Sequence, residues 1–478
     1  MTRLVPYQFQ WTGSKWLAKQ KRAILGDEPG LGKTNQAIIA CDLIKASMIL
    51  VVSPAAARFV WRDEIKKWSM FGHEVHTVVG VKAFEEGPKL GCVNIINYDL
   101  FAYGFQKKSF GFNAAMKKWL APMWDVVIND EAHYLKEKDS LRTRAILKTT
   151  GINGRAKRLW FLTGTPMPNH PGELWTLLAA CGATKLSYKD FINRYCKVGT
   201  FGFSKGQPQG ANKDTIEELN KILESVMRRR LKEFVMPELP EIAIHDFPVP
   251  EVKIDIGTFF EEGGSDPASV KRKLKAQEEF IDSVWQTSIA SGGKMDNSAM
   301  IQILESVGPG VAMYRRWLGA VKAASVYKSI IDDLELGAYD KIVIFAHHKQ
   351  VIRFLTAKLK KYNPQVIDGS TANHKRELAV KQFQESPNCR VFIGNILAAG
   401  TALTLTAAHE VLVIEPDWVP ANNAQAIMRC HRIGQRNAVR VRFTRLADTL
   451  DDYICETLAR KTNDIVQVLG DKKNKNVK

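Results

Sequence analysis

The chain has 478 residues, 45% of them hydrophobic and 25% charged, with a formal charge of +18 and a pI of about 9.4. At roughly 100–200 residues per domain, this length predicts two to four domains, each able to bury its own core. No run reads as bilayer-spanning and the N-terminus has no signal-peptide pattern, seven scattered cysteines without a C-x-x-C pair argue against a zinc module or a disulfide framework and fit a reducing compartment, and the basic balance suits a phosphate-rich partner, although it serves solubility equally well.

Arg22-Ala23-Ile24-Leu25 reads as a strand leading into a glycine-rich turn, and residues 35–45 follow as a helix. Residues 48–52, 94–96, 125–128 and 159–162 read as further buried strands. Strand and helix in alternation predict a parallel sheet covered by helices on both faces. Residues 173–231 read as helices broken by one glycine-rich polar loop, 199–210. Arg228-Arg229-Arg230 falls in this text, so its side chains are expected to spread around a helix. Pro237, Pro240, Pro248 and Pro250 then punctuate a linker. Residues 269–289 read as a charged helix, Ser291-Gly292-Gly293 as a break, and more helix runs to Leu336. Alternation returns with strands at 341–345, 366–367, 390–393 and 411–414, a second α/β lobe, before a basic tail at 472–478. The expected division is a first lobe over 1–240 with a helical insertion near 173–235. A second lobe then covers 241–478, preceded by a helical insertion near 265–336.

Three constellations carry chemistry. Gly26-Asp27-Glu28-Pro29-Gly30-Leu31-Gly32-Lys33-Thr34 sits between a strand and a helix, where glycines and a helix N-terminus cradle phosphates. Lys33 is placed for the β/γ-phosphates and Thr34 for Mg²⁺; the strict pattern fails only at Asp27, which occupies the first glycine position. Asp130-Glu131-Ala132-His133 follows a strand, at the sheet end where ligands bind. Asp130 is expected to hold Mg²⁺ and Glu131 to orient or deprotonate the attacking water. In the second lobe, Gln425, Arg429 and Arg432 belong to one segment that ends His431-Arg432-Ile433-Gly434-Gln435. The two arginines, three apart, are expected on one helix face, brought to the γ-phosphate across a cleft between lobes.

The order of these motifs resembles that of superfamily-two helicase motors, specifically the Swi/Snf-type DNA translocases, over about residues 7–461. Tyr7-Gln8 resembles their adenine-reading motif, which implies Gln8 at the base. The loop from Asp27 resembles their nucleotide loop, which implies ATP contacts from Asp27, Glu28, Gly30, Leu31, Gly32, Lys33 and Thr34, with Gln425 added from the second lobe. Ser53-Pro54 with Trp61, Glu64 and Trp68, Leu162-Thr163-Gly164-Thr165-Pro166, and residues 398–406 resemble their DNA-contacting and coupling motifs, and His431-Arg432-Ile433-Gly434-Gln435 is the most specific match. Ala402 stands where these motors have a glycine, while Gly400 keeps the pattern. Within the group, Phe345-Ala346-His347-His348-Lys349, Ile367-Asp368-Gly369-Ser370-Thr371, Tyr195-Cys196 and residues 227–232 resemble the HARP-type annealing helicases; Phe201-Gly202-Phe203 stands where that branch shows two tryptophans.

The resemblance implies two RecA-like lobes, ATP and Mg²⁺ as cofactors, and 3′→5′ tracking on double-stranded DNA, including forked or branched DNA. It places phosphate contacts at Ser53, Pro54, Arg58, Thr163, Gly164, Thr371, Thr404 and Thr406. Arg58, Arg62 and Lys66, spaced i, i+4, i+8, line one helix face that serves DNA or solvent equally well, whereas Trp61 and Trp68 are expected in the core. Phe201 and Phe203 either stack on unpaired bases at a junction or anchor their own loop. Two rivals stand beside the translocase: a strand-separating DNA or RNA helicase, and a non-enzymatic DNA-binding scaffold. The intact Lys33, Thr34, Asp130, Glu131, Arg429 and Arg432 weigh against the scaffold. The expected setting is the cytoplasm or nucleoid of a bacterial or virus-infected cell, or the nucleus of a eukaryote.

Overall fold

The computed structural model describes residues 5–106, 111–199, 207–250, 252, 310–399, 403–447 and 449–471. The expected charged helix at 269–289, Phe201 and Phe203, the Gly400–Ala402 positions and the basic tail lie outside the described residues. The chain divides into two compact units, one of residues 1–239 with 461–478, the other of residues 240–460. Residues 461–471 thus pack with the first unit, not with the second lobe to which their place in the sequence assigned them.

In the first unit the strands are β1 (Arg22–Leu25), β2 (Ile49–Ser53), β3 (Val75–Thr77), β4 (Val93–Asn97), the short pair β5 (Phe105–Gln106) and β6 (Gly111–Phe112), β7 (Trp124–Asp130), β8 (Ala156–Leu162), a second pair β9 (Cys196–Val198) and β10 (Pro208–Ala211), and β11 (Met227–Arg228). Seven of them form one parallel sheet in the order β11-β1-β8-β7-β2-β4-β3. β2 is buried at every position, as expected for a strand covered on both faces. One face packs Leu50, Val52 and Val127 against a stacked aromatic column, in which Trp119 lies 5.7 Å from Phe84 and 6.2 Å from Trp124. The segment read as helices broken by the loop 199–210 is helix, then the β9–β10 ladder at the two ends of that loop, then helix and a strand. Arg228 is extended and pairs with Leu25 of β1. The arginine triplet therefore does not wind around a helix.

The second unit is a parallel sheet in the order β12-β17-β16-β13-β15-β14, formed by β12 (Ile242–Pro248), β13 (Ile342–Ala346), β14 (Gln365–Ile367), β15 (Val391–Asn395), β16 (Glu410–Val413) and β17 (Val439–Arg445). The period of two is visible in its cores. Ile342, Ile344 and Ala346 join one apolar cluster, while Val343 and Phe345 join another on the opposite face. Helices therefore cover both faces. The expected linker around residues 237–250 is in part a strand, since Ile242–Pro248 pairs with β17 along its whole length. Among the described residues, no helix is long and apolar enough to cross a membrane.

Candidate functional site

β1, β8 and β7 are neighbours in the first sheet, so the three loops that leave their C-terminal ends meet. The loop after β1 enters the helix Lys33–Leu43 through Gly30 and Gly32, whose φ values of 93° and 74° lie in the left-handed region. Glycine is the residue that adopts this region freely, and at Gly32 a side chain would also strike Gln10 and Asn35. The turn leaves the first N–H groups of the helix without intrahelical partners, the usual basis of an anion site. The Lys33 ammonium folds over the loop and donates to the carbonyl oxygens of Asp27 (2.7 Å) and Glu28 (3.4 Å). Burial depresses its pKa, while Glu131, Asp27 and Asp130 pull the other way.

Asp130 ends β7 and is held by two aromatic side chains. Trp61 Nε1 donates to its Oδ2 (2.8 Å), the Tyr98 hydroxyl donates to its backbone oxygen (2.7 Å), and Tyr98 is stacked on Tyr134. Burial, then the adjacent Glu131, push the Asp130 carboxyl up to about 7; the Trp61 hydrogen bond and Lys33 oppose them only in part. Glu131 has φ 50° and ψ 52°, a strained backbone for a side-chain-bearing residue. Its carboxylate lies 3.3 Å from His133 Nδ1, which lies 3.2 Å from Thr163 Oγ1 in the loop after β8. Burial keeps His133 toward its neutral form. Gly164 follows, and a Cβ there would sit 2.6 Å from Pro29 of the nucleotide loop, so the two loops can touch only because residue 164 has no side chain.

The residues expected to contact ATP differ in burial and in the hydrogen bonds they make. Gln8 is exposed on the first helix, whereas Gln10 is buried at the nucleotide loop. Gln10 donates to the Leu31 oxygen (3.2 Å) and accepts from Asn35 (3.0 Å) and from the Tyr7 N–H (3.0 Å). Asp27 is fully buried, and its carboxylate binds the Arg230 guanidinium and the Gln36 amide, so it braces the loop instead of meeting phosphate. Glu28 accepts from the backbone N–H of Lys232 (2.7 Å). Leu31 is buried in the loop, and Thr34, half-buried, follows Lys33 in the first turn of the helix.

Ser53 and Pro54 are buried, and the Ser53 hydroxyl donates to the Pro54 oxygen. Arg58 is also buried, donating to the backbone oxygens of Val78 (2.5 Å) and Ala55 (3.2 Å). Thr163 and Gly164 are buried between the loops just described. The Ser53 and Arg58 side chains thus make their hydrogen bonds within their own unit. Trp61, expected in the core, is there at 1% exposure but also orients Asp130. The motif reading named His133, Arg229 and Arg230 without giving them a role and did not name Gln10.

In the second unit the helix Pro420–Ile427 stops before Arg429, so Arg429 and Arg432 lie in turns and not on one helix face. Gln425 is buried, and its backbone oxygen accepts from Arg429 Nε (3.1 Å). Arg432 donates to the Leu403 oxygen and to Thr404 Oγ1, both at 3.0 Å. Gln435 donates to the oxygens of Thr406, Ala408 and Cys430 and accepts from the N–H groups of Arg436 and Asn437. Thr406 Oγ1 accepts from Gln384 (3.1 Å), and Thr371 closes a turn with Asp368. Thr371, Thr404 and Thr406 are half-buried. Glu415, buried beside the second sheet, accepts from the N–H groups of His347 and His348 and pairs with the His348 ring. A Cβ at Gly319 would lie 2.1 Å from this carboxylate.

A family model described as the SNF2-related domain matches residues 9–247, half of the chain, and one described as the helicase conserved C-terminal domain matches residues 324–434. The SWI/SNF-related matrix-associated actin-dependent regulator of chromatin subfamily A-like protein 1 of Xenopus laevis is 31% identical over 464 residues, covering 95% of this chain and 42% of that protein. The human DNA annealing helicase and endonuclease ZRANB3 is 30% identical over 468 residues, covering 96% of this chain and 40% of that protein. The chain thus spans less than half the length of these relatives. A Sulfolobus solfataricus SWI2/SNF2 ATPase core, solved in complex with dsDNA, aligns over 100% of this chain and 97% of that one at 20% identity and a TM-score of 0.41, a superposition too loose to add to the sheet topology. With both halves of the motif order present and half of the chain matched by the first model, this chain belongs to the SNF2-related family.

Proposed function

We propose that this chain hydrolyses ATP and uses the cycle to move along double-stranded DNA. The observation that carries the reading is the electrostatic coupling of Lys33, which follows β1, to Asp130 and Glu131, at the end of β7 on the other side of β8, so that two adjacent carboxyls stand against one ammonium. Lys33 binds the terminal phosphates, the loop N–H groups from Gly30 to Thr34 cradle them, and Glu131 orients the attacking water. Asp130 and the Thr34 hydroxyl would hold Mg²⁺. The two adjacent carboxyls beside Lys33 fit a divalent cation with oxygen ligands. Bound there, Mg²⁺ would neutralise charge developing on the phosphates. His133 Nδ1 lies beside both the Glu131 carboxylate and the Thr163 hydroxyl, so the loop after β8 borders the proposed water-orienting group.

Arg429 and Arg432 are proposed to stabilise the charge on the transferred phosphate. Thr371, Thr404 and Thr406 are proposed to contact duplex phosphates. Activity on forked DNA, with strands driven back together, is the finer form of the proposal. It is supported by the similarity to the human annealing helicase and by the stacking recovered at each re-paired step, about 1.4 kcal/mol. One measurement tests the whole reading: ATPase rate with no nucleic acid, single-stranded DNA, linear duplex, forked DNA and RNA. Stimulation by duplex far above RNA is expected, with forks above linear duplex. Equal stimulation by RNA would favour a strand-separating RNA helicase, and no hydrolysis under any condition would leave the DNA-binding scaffold.

A further inference from the structure

Arg229 is the second residue of the triplet that leaves β11, and its guanidinium is 9% exposed. Through one terminal nitrogen it donates to the backbone oxygen of Gly26, where the nucleotide loop begins (2.7 Å), and to that of Gly164, in the loop after β8 (3.1 Å). Through its other two nitrogens it forms a bidentate pair with the Asp471 carboxylate, at 2.7 and 2.9 Å. Such a planar fork fixes the guanidinium plane as well as its charge. Asp471 follows the helix Leu450–Val468, more than two hundred residues from Arg229 in sequence, and lies outside both stretches matched by the family models.

The segment that carries Asp471 is anchored to the first unit along its length. Val468 and Leu469 are buried in that unit's apolar core, and Ile465 packs against it. The Asp464 carboxylate accepts from the Ala211 N–H (3.1 Å), the Asn220 amide donates to the Gln467 oxygen (3.4 Å), and Lys461 donates to Asn169 (2.9 Å). These contacts bring a carboxylate to a guanidinium that otherwise meets only carbonyl oxygens.

We propose that residues 461–471 are a positioning element of the nucleotide site, in which Asp471 locks Arg229 so that Arg229 ties the Gly26 carbonyl to the Gly164 carbonyl. The nucleotide loop is then held in its phosphate-binding shape only while the C-terminal segment is docked, and whatever draws this segment off the first unit loosens the loop. Arg229 acts as a positioning residue, because each of its three guanidinium nitrogens is already engaged by Asp471 or by the Gly26 and Gly164 oxygens. The inference rests on the nucleotide reading above for its consequence and on the hydrogen bonds alone for its geometry.

The test uses the full chain with Asp471→Ala, Asp471→Asn and Asp471→Glu. Amide hydrogen exchange at residues 26–32 and 163–165 in nucleotide-free protein reads the lock directly. Both neutral variants are expected to exchange faster there, and Asp471→Glu to recover protection. A fluorescent ADP analogue and steady-state kinetics then read the consequence: weaker analogue binding and a KM for ATP raised about tenfold, with kcat changed less, the order expected when one link of a coupled network is lost. Unchanged exchange in those loops with a lowered melting temperature would reduce Asp471 to a plain stabiliser and overturn the inference. If the wild-type chain binds no analogue, the nucleotide reading fails, while the exchange result still decides whether the lock exists.

Discussion

Two loops carry the most recognisable letters of this chain, and they use them in opposite ways. In the first unit, the loop before Lys33 keeps its glycine backbone open while its acidic side chains are turned inward, Asp27 to Arg230 and Glu28 to the Lys232 N–H. In the second, the turn around residues 429–437 spends Gln435 on five backbone groups and places His431 Nε2 2.8 Å from the Pro240 oxygen. A motif is therefore a mixture of residues that meet a ligand and residues that hold the meeting place. Burial and hydrogen bonding separate the two kinds, since a side chain with every polar atom satisfied internally has little left to offer.

The largest effect should come from the first loop and the acidic strand end beside it. Lys33→Ala should abolish hydrolysis, and Glu131→Gln should keep nucleotide binding while lowering turnover by about 10²-fold or more. Near-normal steady-state hydrolysis by Glu131→Gln would remove the assignment. The second loop should split within itself. Arg432→Ala is expected to lower turnover by about 10³-fold, the lower end for an arginine that meets transferred phosphate, with DNA affinity held. Gln435→Ala should instead lower stability by about 1–3 kcal/mol, because carbonyl oxygens at Thr406, Ala408 and Cys430 lose a buried donor. If calorimetry finds Gln435→Ala as stable as wild type while turnover collapses, the contrast between scaffold and ligand residues is wrong for this turn.

Arg58 sharpens the same contrast in the first unit. Arg58→Ala is expected to cost about 1–3 kcal/mol of stability by orphaning the Val78 oxygen, with duplex affinity and its salt dependence unchanged. A reduced salt slope would return Arg58 to the DNA contacts. The smallest effect concerns Asp125, at the start of β7. Burial works against its ionisation, but hydrogen bonds from the Lys157 ammonium and from the Met48 and Ser47 N–H groups outweigh it and hold the carboxyl at about 2. A depressed acid contributes stability that is complete above its unfolded pKa near 4 and fades as pH falls toward 2. The melting temperature of Asp125→Asn should accordingly approach that of wild type as pH drops through this window; a constant gap would show that the hydrogen bonds act through shape and not charge.

Much of the site was legible because phosphate chemistry is written in short stretches. The glycine loop with Lys33 and Thr34, and Asp130-Glu131 after a strand, need only local order to be placed, and apolar runs such as residues 48–52 show strands buried on both faces at a glance. β12 was hidden for the converse reason. It lies at the edge of its sheet, its residues 243–246 are exposed, and its closing Pro248 is tolerated because an edge strand need not donate on its free side. No apolar period marks such a strand, so its prolines read as a linker.

The sequence by itself determined the family and the two parallel sheets, and it singled out Lys33, Asp130 and Glu131 as the residues proposed for the nucleotide, because each depends on residue type at close spacing. Only the tertiary structure decided which charged residues face inward: that Gln10 rather than Gln8 reaches the loop, that Arg58 caps a carbonyl, and that Arg229 is met by Asp471. Long side chains take their partners from whatever the fold brings within about 3 Å, and those partners lie tens to hundreds of residues away, where spacing carries no signal.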